Sequence, residues 1–188
     1  MNNGSSPLRL ALALAIGAML LACPWLAQAE RADATEASVK AAFLYKFAGY
    51  VEWPPEALAP GAPFTIAVVG SDAVAEELAQ IVPGRSVAGH PVTVKRLAEG
   101  ELPRHVQVLF VGGPDPGRHA AAIAAAQKGG ALVVSESDRG LAAGAAINFV
   151  SANERIGFEV SLDSAQRSGL RISSRMLAVA RRVVQKGA

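Results

Sequence analysis

The chain has 188 residues, 51% of them hydrophobic, with 18 Lys and Arg against 16 Asp and Glu and a single cysteine. A net charge of +2 is far from the strong positive field that nucleic acid or an anionic membrane surface requires of a main partner, so proteins and small molecules remain. One cysteine excludes any internal disulfide.

The first 29 residues read as an export signal. Arg9 precedes the apolar run Leu10 to Ala22, Pro24 breaks the helix, and Ala27-Gln28-Ala29 is the small-x-small pattern of a cleavage site. The run is shorter than the roughly 20 residues of a membrane span. Cleavage after Ala29 is therefore expected, leaving residues 30–188 as one soluble exported domain with no cysteine. Arg9 is the only charge removed, so 17 basic residues then face 16 acidic ones. A competing reading takes Leu20-Leu21-Ala22-Cys23 as a lipobox, with Cys23 acylated and the domain tethered.

Val39, Phe43, Phe47 and Tyr50 recur at helical spacing and predict a core-facing helix over 37–51, stopped before Pro54-Pro55. Phe64–Val69, closed by Gly70, predicts a strand, and Asp72 then caps a helix carrying Val74, Leu78 and Ile81. Strands follow at Val92–Val94 and Val106–Val111, then an alanine-rich helix from Arg118 to Lys128 that stops at Gly129-Gly130. Ala131–Ser135 predicts another buried strand, and 145–150 with 156–160 predict a hairpin around five polar residues. A short helix over 163–167 and a last one from Ser173 or Ser174 through Val184 close the chain. Alternating strands and helices imply an α/β fold, a three-layer α/β/α sandwich with a mainly parallel sheet and an antiparallel hairpin at one edge.

The motifs that carry chemistry are weak. Neither Gly70-Ser71-Asp72 nor Gly112-Gly113-Pro114 completes a dinucleotide loop, and neither is followed by a P-loop lysine. His90, His105 and His119 lack metal-ligand spacing and read as exposed. Ser135-Glu136-Ser137-Asp138 has no nucleophile elbow, so its serines read as turn formers. Residues 165–184 mimic a helix-turn-helix, with Arg175, Arg181 and Arg182 on the second helix, but the export signal and neutral charge oppose DNA binding. No set of nucleophile, base and oxyanion donors assembles, so neither an enzyme nor a cofactor is expected. A small-ligand sensor remains an alternative, its crevice at the carboxyl ends of the strands placing Gly70, Ser71, Gly112, Ser135 and Glu136 together.

Lys40–Phe47 leading into Val51-Glu52-Trp53-Pro54, the strand Ile66–Gly70, the block 147–160 and the tail Gly169–Leu177 together resemble the YfiR/HmsC-like family. The resemblance implies a periplasmic regulator without catalysis. Such a protein binds the periplasmic sensor region of an inner-membrane diguanylate cyclase and lowers cyclic-di-GMP, with effects on exopolysaccharide and biofilm. An outer-membrane lipoprotein that sequesters it, and a homodimer, are implied as well. The cysteine pairs of some members have no counterpart here, so redox control does not carry over. The family motif is matched at Trp53, Asn148, Arg155, Gly157, Glu159, Arg171, Ser174 and Arg175, as fold-holding or partner-binding residues. Trp53 reads first as a packing anchor, and Glu159 as pairing with Arg155 or Arg171.

Overall fold

The computed structural model describes residues 23–152 and 155–185, with side-chain surroundings from Glu36 onward. Arg9 and the run Leu10–Ala22 of the expected signal lie outside the described residues. Two compact units divide at Glu36 and Ala37, and the second carries the sheet.

Helix α1 spans Cys23–Ala48, so it starts well before the predicted position and passes through the expected cleavage site at Ala29. The break expected at Pro24 concerns the apolar run before it, which lies outside the described residues. β1 (Val51–Glu52), a 3-10 turn (Pro55–Ala57), β2 (Phe64–Val69) and α2 (Asp72–Ile81) follow. Ser71 rather than Asp72 caps α2, its Oγ accepting from the Val74 N–H. Then come β3 (Ser86–Val87), β4 (His90–Arg96), β5 (Val108–Val111), a 3-10 turn (Pro116–His119), α3 (Ala120–Lys128) and β6 (Leu132–Ser135). The hairpin is β7 (Ile147–Ala152) with β8 (Arg155–Ser161), and α4 (Leu162–Arg167), β9 (Arg171–Ile172), α5 (Ser174–Leu177) and β10 (Arg182–Val184) complete the order.

The main sheet has eight strands in the order β10-β8-β7-β6-β5-β2-β4-β3. All neighbours are parallel except the hairpin β7·β8 and the short pair β3·β4. β1 and β9 form a separate antiparallel pair, Val51 opposite Ile172. Two layers of helix cover the sheet. Phe64, Ile66 and Val68 point into one cluster with Leu44, Phe47, Leu78 and Met176, from α1, α2 and α5. Ala67 and Val69 point the other way, onto Ala122, Ile123 and Ala126 of α3. Side-chain alternation along β2 therefore decides which helix layer each residue meets.

Two predicted elements are corrected. The last helix does not run to Val184: Ser173 caps a single turn, and residues 182–184 become a strand parallel to β8. Val183 and Val184 are β-branched, and the β8 edge gave them a ladder that an exposed helix lacked. The hairpin in turn is not at the edge, because β10 lies outside it. Its turn is also shorter than five residues, since pairing persists to Ala152 opposite Arg155.

Candidate functional site

Of the clefts on this framework, two gather the residues that the readings above turn on. The first is the carboxyl end of the parallel strands. The chain leaves β2 for β4 on one side and returns to β5 on the other, so β2 and β5 diverge at a topological switch point. The loops there touch closely: a Cβ on Gly70 would lie 2.6 Å from the Gly112 carbonyl oxygen, and one on Gly112 would lie 2.7 Å from the Ser71 Cβ. Beside them is a cleft of about 290 Å³ lined by Ser71, Asp72, Glu99, Arg118 and His119. Arg118 is already held there by Glu99, at 2.8 and 2.9 Å.

Of the five residues placed in this crevice from the sequence, Gly70 and Ser71 line the cleft and Gly112 abuts them. Ser135 and Glu136 do not join them. Ser135 is fully buried, its Oγ accepting from the Ser137 N–H, as a turn former does. Glu136 is taken up by an ion pair with Lys40 of α1, and its second oxygen accepts from the Gly113 N–H at 2.7 Å. The helix and the two loops after β5 and β6 are thereby tied through one carboxylate.

The histidines are not uniformly exposed. His105 is exposed, at a φ of 52° beside a cleft of about 620 Å³ at the opposite end of the strands. His90 is half-buried, with Nδ1 2.7 Å from the Ala62 carbonyl oxygen.

The second place is a groove of about 220 Å³ between α1, α5 and β8. Phe47, Phe158 and Met176, each at most 3% exposed, form its floor. Phe43, Tyr50 and Val179 are its walls, and Lys46 and Arg175 its charges. Phe43 and Phe47 also stack into Phe149 and Phe158 at centroid separations of 4.9 to 6.1 Å, which fixes the floor. The helical stripe expected to face the core is therefore split: Phe47 is buried, whereas Val39 and Tyr50 are 37% and 43% exposed. The core covers only the centre of this stripe, at Phe43 and Phe47.

The motif residues do not form one site. Trp53 lies edge-on against Phe64 at 5.2 Å, and its Nε1–H donates to the Ala48 carbonyl. Arg171 is exposed, 4.0 Å from Glu52 across the β1·β9 pair. Ser174 is exposed in the first turn of α5, whose cap is Ser173, and only Arg175 reaches the groove. Glu159 pairs neither with Arg155 nor with Arg171. Its partner is Arg182 on the neighbouring strand, held through two hydrogen bonds of 2.7 and 2.8 Å, which together with the carboxylate's charge raise the guanidinium pKa.

Register explains this grouping. Ser135, Asn148, Glu159 and Arg182 lie opposite one another on β6, β7, β8 and β10, a polar row on the sheet face away from α1. Asn148 is buried, and its Oδ1 makes no hydrogen bond. Gly157 stands one pleat from Glu159, and a Cβ there would lie 2.1 Å from Arg181 Nε. The Arg181 guanidinium crosses that gap to donate to the Arg155 carbonyl at 3.0 Å. Arg155 thus contributes its backbone, and Arg181 is the residue the sequence reading missed, having been assigned to a helix surface.

A family model described as YfiR/HmsC-like matches residues 37–181, from the start of the sheet-bearing unit to the residue before β10. The chain belongs to the YfiR/HmsC-like family. Its members are regulatory rather than catalytic proteins of the cyclic-di-GMP signalling pathway. No curated protein matches the chain. Among solved structures, an ABC domain in complex with L-Trp from Streptococcus pneumonia is similar at a TM-score of 0.47 and 14% identity. The likeness covers 69% of this chain, which spans 57% of that one. Among the described residues no helix is long and apolar enough to cross a membrane, and no group of three or more potential ligands could hold a metal ion.

Proposed function

We propose that this chain is an exported inhibitor, cleaved after Ala29, that binds the periplasmic sensor region of an inner-membrane diguanylate cyclase and holds the enzyme inactive. Family membership over residues 37–181 is the observation that carries this reading. The open apolar groove beside α1 supports it, since a regulator that works by binding needs accessible surface rather than reactive groups.

The physical mechanism is linkage. An inhibitor that prefers the inactive cyclase shifts its population by the ratio of the two affinities, and moving it from 99:1 active to 1:99 takes about a 10⁴-fold preference. Release by a sequestering outer-membrane lipoprotein then needs only competition for the inhibitor. Deleting the gene should raise cyclic-di-GMP and exopolysaccharide, and restoring the exported chain should lower them again. Unchanged cyclic-di-GMP in the deletion strain would sink the proposal.

A small-ligand sensor is the second reading, and the cleft beside Ser71 and His119 favours it. A thermal-shift screen against amino acids and small metabolites tests it, because a ligand of the native state raises the melting temperature. The two readings combine if such a ligand alters inhibition.

A further inference from the structure

Four of the five large hydrophobic residues exposed among the described residues, Val39, Tyr50, Val179 and Val183, lie on or directly after α1, α5 and β10. Tyr50 and Val179 wall the groove. Val39 lies one helical turn before Phe43 on the same face. Val183 is in register with Val160, whose side chain packs into the α1-side cluster. Val179 is 70% exposed, so this surface is open to solvent.

The charges there have one sign. Lys46 and Arg175 are the only charged side chains lining the groove, and neither is ion-paired among the described residues. The other nearby cations are answered, Arg171 facing Glu52 and Arg182 facing Glu159. A twofold contact between two copies centred on the groove would bring two Lys46 and two Arg175 side chains together with no carboxylate among the groove's lining residues, and like charges in apposition oppose association. We infer that the groove receives an apolar segment of another protein flanked by carboxylates, and not a second copy of this chain. The inference rests on the regulatory reading and adds the face and the chemistry of the partner.

Two probes test it. The first is the purified periplasmic domain of each membrane diguanylate cyclase of the source cell, with binding followed across a salt series from about 0.05 to 0.5 M. The second is a pair of synthetic peptides with one Leu/Phe core, flanked by Glu in one and by Lys in the other. Against the cyclase domain that binds, Val179→Asp should weaken affinity at least tenfold. Lys46→Glu with Arg175→Glu should slow association at least tenfold and flatten its salt dependence, because charges flanking an apolar core act mainly on the encounter rate. All three positions are exposed or partly exposed, and unchanged melting curves are the control. The Glu-flanked peptide should bind at least tenfold more tightly than the Lys-flanked one and shift the amide signals of Tyr50 and Val179.

Equal binding by the variants, or peptides that bind equally or not at all, would overturn the inference. So would sedimentation showing a wild-type dimer that Val179→Asp converts to monomer. If no cyclase domain binds the wild type while the Glu-flanked peptide does, the regulatory reading fails and the groove assignment stands.

Discussion

Gly140 and Asn148 give the sharpest test of the packing. A Cβ on Gly140 would sit 2.2 Å from Asn148 Oδ1 and 2.8 Å from the Ser135 Cβ, so Gly140→Ala collides on two sides. Neither neighbour can retreat easily, because Ser135 is fully buried and Asn148 is 3% exposed within its strand. The loop is pinned as well, with the Gly140 N–H donating to the Ser137 carbonyl and the Ala145 N–H to the Gly140 carbonyl. Overpacking of this kind costs about 1–3 kcal/mol. Replacing glycine where φ is ordinary returns roughly 0.4–1 kcal/mol through the unfolded chain. The net loss is about 1–2 kcal/mol, or roughly 2–8 °C in melting temperature for a domain of this size. Asn148→Ala removes the colliding atom, which is also a buried acceptor without a donor, so the double variant should recover at least half of the loss. Calorimetry on the four proteins of the cycle measures this coupling. Additive losses, or a Gly140→Ala protein that melts like the wild type, would refute the reasoning.

Three further outcomes are expected. Lys40→Met leaves the Glu136 carboxylate part-buried with a lost cation, which should cost about 2–3 kcal/mol in denaturant melts, and adding Glu136→Gln should return part of it. Trp53→Ala loses both the contact with Phe64 and the bond to Ala48, and should destabilise by about 3 kcal/mol in the same assay. Gly157→Ala forces the Arg181 side chain off the hairpin, so amide exchange at Arg181 and Val183 should accelerate while the global melting temperature moves little.

Much of the sheet was legible because its strands are short, mostly apolar runs that abut a glycine turn, as at 64–69 before Gly70 and at 131–135 after Gly130. The last strand was not, since Arg181 to Val184 continues a helical pattern locally and only the waiting β8 edge converts it. Periodicity identified the apolar stripe of α1 but could not show that the core would cover only its middle. The partner of Glu159 was misread because cross-strand neighbours depend on register: Arg182 lies 23 residues away in sequence yet directly opposite. Spacing likewise placed Ser135 and Glu136 at a strand end without revealing that Lys40 would occupy the carboxylate.

β10 pairs with Glu159, Val160 and Ser161, and the Arg181 side chain lies across β8 at Gly157. A visitor to this corner therefore finds three residues of open backbone beside two guanidiniums, too little ladder to add a strand of its own. Recognition there is left to side chains. In a cell that carries several related inhibitors and cyclases, partners read this way can be kept apart by exchanging one or two charges at Lys46 and Arg175, with no change to the sheet beneath.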